Sequence, residues 1–335
     1  MTYGVTEFLG DGVSAELSEA VHSIAQALPF AVEFDPVDLS LEHRSFHGRD
    51  IYDLAMASMR ETRVALKYPT TTEKESPNAV LRKMCEFTVI HRPVKTIPAV
   101  ESNFTRPLNL DIVRVATGGT YNDPGQSVGD DVAVSVRVVE RASARSAAQY
   151  AFAMADAEGA NVTSSSKWTI QRATDGMFEE AVEDVAKSYP NVPYNRDLFD
   201  ALLAKVVMTP EKYRYIITLN EYGDFLSDMA CGLVGSLGIG SSASFSFTDD
   251  GKIELAMFDA AHGTAPDIAG KNLVNPTAIL LAFAHLVRHL GEVDTGTRLE
   301  SVILDSFAAG ETTGDLGGTL STREFTKIVR DRFAG

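Results

Sequence analysis

Apolar residues along this chain follow two spacings that alternate: short runs rich in β-branched residues, and longer segments with an apolar residue every three or four positions. The first such pair spans residues 5–28, where a short apolar run is followed by a glycine turn and then by a helical pattern. Further helical patterns cover residues 76–85, 142–157, 177–186, 225 onward, 278–289 and 298–308. Strands that alternate with amphipathic helices in this way predict an α/β fold.

The run Tyr215–Leu219 leads towards a helical pattern that begins at Phe225, and two aspartates stand near that point. Asp224 and Asp228 are four residues apart, so the pattern places both carboxylates on one face of a helix, in its first turns. Two stacked carboxylates repel each other unless a cation lies between them, and oxygen ligands of this kind suit Mg²⁺ or Mn²⁺. The alternative is a pair of solvated aspartates that complement the helix dipole.

Composition narrows the class of protein. With 335 residues, 44% of them hydrophobic and 23% charged, the chain is large enough for two lobes. The net charge of −16 argues against a general nucleic-acid or anionic-membrane surface, so an anionic substrate needs a local basic cluster. The only cysteines, Cys85 and Cys231, give neither a disulfide framework nor zinc-ligand spacing. Without a signal-peptide or membrane-span pattern, we expect a cytoplasmic location.

A helix start with two nearby arginines supplies such a basic cluster. Ser76 followed by Pro77 is a typical helix start, and the exposed amides of a helix N-terminus attract anions. Ser76 and Asn78 would contact a carboxylate at this start. Arg82 follows one or two turns later, and Arg92 stands ten residues beyond it. Each arginine taken alone is more often a surface charge.

Three segments resemble the isocitrate/isopropylmalate dehydrogenase family. The first is YGDFLSD, which contains the two aspartates described above. The second is the pattern SxNxxxR at residues 76–82, with an Arg-Pro pair ten residues further on, and the third is HGTAPDIAGKNLVNP at residues 262–276. The resemblance extends over nearly the whole chain.

This resemblance implies an α/β, two-lobed fold of the isocitrate/isopropylmalate dehydrogenase type, which is not a Rossmann fold. The large lobe would comprise residues 1–92 and 243–335 and would carry the NAD-binding loop. The small lobe would comprise residues 93–242 and would carry the metal site and the dimer interface. The active site would lie in the cleft between the lobes.

The same resemblance implies how the substrate is bound. In the family, the residues that match Ser76 and Asn78 contact the substrate's extra carboxylate, whereas members that act on isopropylmalate or homoisocitrate carry other residues there. Residues that match Arg82 and Arg92 clamp the other carboxylates in the forked geometry that guanidinium groups favour. The resemblance therefore favours a substrate with three acidic groups.

Residues 114–121 match the family only in part. Arg114 and Tyr121 stand seven residues apart, as in relatives, where they bind the substrate and protonate its carbon respectively. Two family glutamates are missing between them, where this chain has Val115, Ala116 and Gly118. Their loss leaves open how the nicotinamide ring is positioned and whether the substrate is altered.

Lys167 and Asp200 match the remaining catalytic positions. Lys167 stands nine residues before Gly176, the interval that separates the family's catalytic lysine from a glycine. A lysine beside a metal and arginines has a lowered pKa and can act as a base. Its neighbours Trp168 and Thr169 depart from the family, which usually carries asparagine at the second position. The metal ligands that the resemblance implies are Asp200, Asp224 and Asp228.

The implied cofactor is NAD, bound by the family's adenosine loop. His262 and Asn275 would contact the adenine, and Asp267 would accept hydrogen bonds from the ribose hydroxyls, where a 2′-phosphate would meet like charge. Relatives that use NADP carry a lysine where Asp267 stands, and tyrosine and arginine where Gly314 and Gly318 stand. The full set of implied cofactor contacts is Thr71, Thr72, His262, Gly263, Thr264, Ala265, Asp267, Ile268 and Asn275.

The implied reaction is the NAD-dependent and metal-dependent oxidative decarboxylation of a 3-carboxy 2-hydroxy acid, with isocitrate to 2-oxoglutarate as the first choice. The alternatives are the same reaction on phosphonomethylmalate, homoisocitrate, 3-isopropylmalate or tartrate/malate and, from another class, a non-catalytic regulatory subunit. In relatives, the residues that match Lys167 and Asp200 reach into the partner's cleft. The resemblance therefore implies a homodimer with two shared sites.

Overall fold

A computed structural model of the protein describes residues 1–73, 75–97, 100–235 and 240–335. Within these ranges, ten strands form one mixed sheet and two short strands form a separate hairpin. The strands are β1 (Thr2–Leu9), β2 (Ala31–Asp38), β3 (Val64–Lys67), β4 (Val89–Lys95), β5 (Asn109–Val115), β6 (Gln126–Val128), β7 (Val132–Val134), β8 (Val162–Ser166), β9 (Tyr194–Leu198), β10 (Tyr215–Thr218), β11 (Ser241–Phe247) and β12 (Ile253–Ala260).

Helices separate most of these strands, as the alternating pattern predicts. They are α1 (Ser14–Ala25), α2 (Leu41–His47), α3 (Asp50–Thr62), α4 (Pro77–Met84), α5 (Arg141–Glu158), α6 (Thr174–Ala186), α7 (Phe199–Met208), α8 (Asn220–Leu233), α9 (Thr277–His289), α10 (Val293–Ala308) and α11 (Thr322–Ala334). Short 3₁₀ turns occur at Pro210–Lys212 and Gly314–Leu316. None of the helices in the described ranges has the length and apolar character that a membrane span needs.

The sheet has the order β2-β1-β3-β12-β11-β4-β5-β10-β8-β9. Pairing is parallel towards both ends, whereas the central strands β12, β11, β4 and β5 pair antiparallel. The predicted lobe boundaries, at 92/93 and 242/243, fall inside β4 and β11, which are neighbours in the sheet. The lobes remain a prediction, and these two central strands are the ones that would join them.

Side-chain alternation along β4 and β5 separates two environments. Arg92 and Arg114 face one side of the sheet, where both contact helix α8. His91 and Asp111 face the other side, where His91 is bonded to Asp111 and to Tyr150 of α5. Because successive strand residues point to opposite faces, the register of these two strands decides which charges meet. The side with the arginines carries the candidate site.

The first glycine turn packs against the loop that the sequence assigns to NAD. Gly12 has a φ of 59°, and a Cβ built there would lie 2.0 Å from the carbonyl oxygen of Thr264. The backbone N–H of Val13 donates to that same oxygen at 3.0 Å. Glycine is needed at this position because a side chain would collide with the neighbouring loop.

Helix α8 begins earlier than the apolar pattern predicts. It starts at Asn220 rather than near Phe225, so the two aspartates of its DxxxD pattern lie in its second and third turns instead of its first. Gly223 belongs to the helix, where an added Cβ would meet the side chain of Arg114 at 2.7 Å. The glycine therefore makes room for a buried arginine and does not end an element.

Two local features near Lys167 add to what the sequence pattern predicts. Lys167 follows β8 directly, and α6 begins at Thr174, three residues before the helical pattern predicted from residue 177. The reason is a buried contact: the carboxylate of Asp175 accepts the backbone N–H of Lys167 at 2.8 Å. This bond turns the chain away from the strand at Lys167.

Candidate active site

Helix α8 presents Asp224 to three side chains. Its Oδ1 accepts from Nη1 of Arg114 and lies 3.2 Å from Nη1 of Arg92. Its Oδ2 accepts from the hydroxyl of Tyr121 at 3.1 Å. Burial alone would raise the pKa of the Asp224 carboxyl, but Arg114 and Arg92 outweigh burial and hold that pKa below its usual value. The carboxylate is therefore ionised, as a metal ligand must be.

Asp228 stands one turn further along the same helix, with its side chain 70% exposed. Its Oδ1 lies 3.7 Å from Nη1 of Arg92, and the same nitrogen donates to Oγ of Ser227 at 2.6 Å. Asp224 and Asp228 thus flank one guanidinium group. The two aspartates present carboxylate oxygens on one face of α8, and Mg²⁺ and Mn²⁺ prefer ligands of this type.

Arg82, Arg92 and Arg114 form a cluster of positive charge. Burial lowers the pKa of Arg82, and the charge of Arg92 adds to that effect while Asp259 opposes it. Burial also lowers the pKa of Arg114 to about 10, and the charges of Arg92 and Arg82 contribute. A buried excess of guanidinium charge favours a bound anion, which would relieve the repulsion between the arginines.

Several buried polar atoms beside this cluster have no hydrogen-bond partner among the described residues. They are Oδ1 of Asn78 and the Nε atoms of Arg82 and Arg92. Ser76 is the N-cap of α4 by position, and Pro77 is its first residue, but in the described chain the Ser76 hydroxyl makes no capping hydrogen bond. Buried polar groups without partners are costly, so they mark places where a ligand completes the bonding.

Lys67 and Asp259, on the same face, were not identified from the sequence. Lys67 ends β3 and lies opposite Asp259 on β12. Burial lowers the pKa of the Lys67 ammonium to about 8, although the charge of Asp259 opposes this shift. Its Nζ donates to the carbonyl of Tyr68 at 2.9 Å and to Oγ1 of Thr70 at 3.1 Å. Lys67 is the last residue of β3 and Asp259 the second-last of β12, and neither belongs to a motif that the sequence analysis selected.

Tyr121, for which the resemblance implies the role of proton donor, lies beside Asp224. Its side chain is 50% exposed, and its hydroxyl donates to Asp224. Burial of the phenol raises its pKa, and the negative charge of Asp224 adds to that effect. The hydroxyl therefore keeps its proton at neutral pH and points into the site beside Arg114, whose guanidinium lies 5.8 Å from the ring centre.

Lys167 and Asp200 lie together, but apart from the carboxylates of α8. The Lys167 Nζ lies 2.8 Å from Oδ1 of Asp200, and this bond lowers the pKa of the Asp200 carboxyl. Within the described ranges, no cluster of three His, Cys, Asp or Glu side chains could hold a metal ion. The described residues of one chain therefore show no cluster that joins Asp200 to Asp224 and Asp228.

The predicted NAD loop offers an acceptor of the kind that adenine needs. Nδ1 of His262 donates to the carbonyl of Gly263 at 3.0 Å, and Nε2 is buried without a partner in the described part of the chain. In this tautomer Nε2 is an acceptor, which suits an amino group. Ala265 has a φ of 38°, so the loop turns sharply next to Thr264, whose carbonyl is held by Val13.

Asn275 ties the end of this loop to the C-terminal segment. Its Nδ2 donates to Oδ2 of Asp315 at 3.0 Å, and its Oδ1 accepts from the N–H of Thr277 at 3.0 Å. One amide hydrogen remains for the adenine contact that the resemblance implies. Elsewhere at the site, the N–H of Thr71 donates to Oδ2 of Asp11 at 2.7 Å, which fixes the predicted threonine pair to the first glycine turn.

At the positions where relatives that use NADP carry other residues, this chain has an exposed aspartate and two glycines. Asp267 is exposed, as contact with a ribose requires. A Cβ at Gly318 would lie 1.9 Å from the carbonyl oxygen of Thr312, whereas Gly314 has open space around it. This backbone therefore has no place for an arginine at position 318. The remaining predicted cofactor contacts are Thr72, which is exposed, and Ile268, which is partly buried.

Comparison with known proteins identifies the family of this chain. The family model described as isocitrate/isopropylmalate dehydrogenase matches residues 4–329. The chain belongs to this family. The predictions of the family, of its fold class and of an NAD-dependent decarboxylating dehydrogenase are therefore confirmed, and the cofactors of the family are NAD and Mg²⁺ or Mn²⁺. The roles of individual residues remain predictions.

Individual relatives match along almost their whole length. The chain is 34% identical to mitochondrial isocitrate dehydrogenase (NAD) subunit 2 of Kluyveromyces lactis, covering 98% of this chain and 90% of that protein. It is 32% identical to a mitochondrial regulatory subunit of isocitrate dehydrogenase (NAD) from Dictyostelium discoideum, with coverages of 98% and 89%. It is 33% identical to 3-isopropylmalate dehydrogenase of Archaeoglobus fulgidus, with coverages of 96% and 96%.

Among solved structures, isocitrate dehydrogenase from Methylococcus capsulatus matches this chain with a TM-score of 0.90 at 28% identity. The match covers 99% of this chain and 100% of that one. The relatives therefore share one fold but include catalytic and regulatory subunits of isocitrate dehydrogenase as well as an isopropylmalate dehydrogenase. The choice between these roles depends on the site.

Proposed function

We propose that the protein oxidises and decarboxylates isocitrate to 2-oxoglutarate with NAD⁺ and Mg²⁺ or Mn²⁺. The charge of the site supports this substrate. Three positive charges come from Arg82, Arg92 and Arg114. Two negative charges come from Asp224 and Asp228, and the buried lysine–aspartate pair beside them cancels. Three minus two leaves a net charge of +1, which a divalent ion raises to +3, and the three carboxylates of isocitrate neutralise that charge.

The third carboxylate also has a place to bind. Ser76 is the N-cap of α4 and Asn78 its second residue. The first N–H groups of a helix have no partner within the helix, so an anion is favoured there. The Ser76 hydroxyl is not used for capping within the described chain, so it is available to a ligand. A malate with an apolar 3-substituent would leave these donors and one positive charge unmatched, which is unfavourable in a buried site.

The residues of the chain have distinct roles in this reaction. When bound, the metal ion would act as a Lewis acid on the 2-hydroxyl and NAD⁺ would accept the hydride from C2. Asp224 and Asp228 would hold the metal, together with Asp200 of a second copy of the chain. Lys167 of that copy would take the hydroxyl proton, directly or through water. Tyr121 would protonate the carbon that loses CO₂.

We infer that two copies of the chain share each site. Two observations support this: among the described residues no metal-ligand cluster joins Asp200 to the α8 carboxylates of its own chain, and the hairpin β6–β7 exposes apolar side chains. The exposed valines on and next to this hairpin are Val128, Val132, Val134, Val136 and Val138. Exposed apolar residues in such number are typical of an interface.

The shared site can be tested by mixing two inactive variants. Lys167→Ala and Arg82→Ala each disable a different half of the site, so a hybrid dimer would contain one site with both defects and one with neither. Random exchange of subunits should restore about a quarter of the wild-type activity. Hybrids that form without any return of activity would show that each chain supplies its own lysine.

Activity measurements can distinguish this proposal from two alternatives. A substrate with another acidic 3-substituent, such as phosphonomethylmalate, would fit the same charges. A regulatory subunit, like one of the relatives, would not turn over any acid by itself. The test is a panel of 3-substituted malates with NAD⁺ and Mg²⁺, followed by NADH absorbance. We expect isocitrate to have the highest kcat/KM, and a higher value for another acid would replace it as the substrate.

We also propose that the protein is located in the cytoplasm. Cys85 and Cys231 are buried free thiols, and burial raises their pKa values to about 12 and about 11, so neither is a reactive thiolate. These thiols are compatible with the reducing cytoplasm. Cell fractionation with an antibody to the protein tests this, and recovery in a membrane-bounded compartment would contradict it.

A further inference from the structure

Arg137 follows the exposed hairpin β6–β7 and enters the protein with its side chain only 14% exposed. Its Nη1 contacts Oε1 of Glu221, and its Nη2 lies 3.2 Å from Oδ1 of Asp175. Its guanidinium lies 4.9 Å from the ring centre of Tyr222. One guanidinium therefore bridges two buried carboxylates that belong to the first turns of two different helices, α8 and α6.

The Asp175 carboxylate holds the turn that carries Lys167. Asp175 is fully buried, and its Oδ2 accepts the backbone N–H of Lys167 at 2.8 Å. The same oxygen accepts the hydroxyl of Tyr222 at 3.2 Å. The position at which the chain leaves β8, and from which the lysine side chain extends, is therefore set by a carboxylate that forms an ion pair with Arg137.

The Glu221 carboxylate holds the loop that carries Tyr121. Its Oε1 accepts the N–H of Thr120 at 3.2 Å and the hydroxyl of Thr120 at 3.3 Å. Gly119 allows this approach, because a Cβ built there would lie 2.0 Å from Oε2 of Glu221. The loop is the one from which two family glutamates are missing, and the carboxylate that meets it comes from helix α8 instead.

We propose that Arg137 is the positioning residue that fixes both proton-transfer groups, Lys167 through Asp175 and Tyr121 through Glu221. The roles of these two groups rest on the proposed function. In a dimer with shared sites, Lys167 of one chain acts in the partner's cleft, whereas Tyr121 acts in the cleft of its own chain. Arg137 therefore positions one proton-transfer group of each cleft. Arginine suits this task because its planar fork reaches two carboxylates at once, which an ammonium group cannot do in the same geometry.

The sole tryptophan of the chain reports on this arrangement without any need for catalysis. Trp168 follows Lys167 directly, and the guanidinium of Arg196 lies 4.7 Å from its ring centre. Loss of the Arg137 contact with Asp175 should displace the turn at Lys167 and so change the surroundings of Trp168. We therefore compare Arg137→Met with Arg141→Met. Arg141 stands four residues after Arg137, and its exposed ion pair with Glu180, at 3.0 Å, contacts neither Asp175 nor Glu221.

Arg137→Met should shift the emission of Trp168 and raise its acrylamide quenching about twofold or more, whereas Arg141→Met should leave both as in the wild type. The kcat of Arg137→Met should fall about 10- to 100-fold, with the KM for the acid within about threefold, because misplaced proton-transfer groups slow chemistry more than binding. Arg137→Lys should restore part of the kcat, since it keeps the charge but not the fork.

An unchanged Trp168 signal together with an unchanged kcat in Arg137→Met would overturn the proposal. If Arg137→Met does not fold, Arg137→Lys decides, and emission and kcat equal to those of Arg141→Met would then overturn it. If the wild type turns over no acid, the proposed function has failed, but the fluorescence comparison still tests whether Arg137 holds the Lys167 turn.

Discussion

Replacing Ser76 with alanine removes one hydroxyl from the start of α4, and its effect separates a binding role from a capping role. An N-cap serine that bonds to the helix contributes about 1 kcal/mol to stability, but in the described chain the Ser76 hydroxyl makes no such bond. The free energy of unfolding should therefore change by less than about 0.5 kcal/mol. A hydrogen bond to a charged carboxylate is worth about 1.5–3 kcal/mol, so kcat/KM for isocitrate should fall about 10- to 150-fold.

Plain malate lacks the 3-carboxymethyl substituent that isocitrate carries, so the same substitution should change its kcat/KM by less than about threefold. Ser321→Ala is the matched control, because Ser321 and Glu324 form a complete capping box at α11. This control should lose about 1 kcal/mol of stability in a denaturant titration and keep its kinetics. The contrary result is a loss of stability in Ser76→Ala similar to that of the control, together with an equal fall in kcat/KM for isocitrate and malate. The hydroxyl would then cap the helix and would not contact the 3-substituent.

Three further predictions concern the metal, the cofactor and pH. Asp224→Asn and Asp228→Asn should each raise the metal concentration needed for half-maximal rate by at least about tenfold, and an unaltered Mn²⁺ titration in both would remove them as ligands. The wild type should prefer NAD over NADP by at least about tenfold in kcat/KM, and Gly318→Arg should lower stability without improving NADP use, because a Cβ there would lie 1.9 Å from the Thr312 carbonyl. Burial raises the pKa of Glu179 from 4.5 to about 7, so this group favours folding at low pH and loses that contribution between those values. Across that interval, Glu179→Gln should gain about 3 kcal/mol in free energy of unfolding relative to the wild type, and parallel stability curves would refute the shift.

Patterns local in the sequence predicted much of the fold. The Ser76–Pro77 start of α4 is found where it was expected, since a cap position and a proline restrict the backbone by themselves. The period of three to four residues located both ends of α5 and α9 to within one residue, because each helix buries one face. It also located the end of α10, whose start lies five residues before the predicted one. The i, i+4 spacing of Asp224 and Asp228 was also correct, since both lie on α8.

Contacts between distant segments could not be predicted from those patterns. The start of α8 was misplaced because the apolar period becomes clear only at Phe225, whereas the helix already includes Gly223, which makes room for Arg114, more than a hundred residues earlier in the chain. Lys67 and Asp259 meet only because β3 and β12 pair in the sheet. Arg137 likewise looked like one charge among many, and its role depends on two helix starts that the fold brings together.

The central claim is that this chain alone carries out an oxidative decarboxylation. The most direct measurement is the simultaneous release of NADH and CO₂ by the purified protein, supplied with isocitrate, NAD⁺ and Mg²⁺ and with no other protein present. We expect equal amounts of both products, and a chelator should stop the release of both. Neither product from a folded protein would contradict it and favour a regulatory role, and NADH without CO₂ would contradict the decarboxylation.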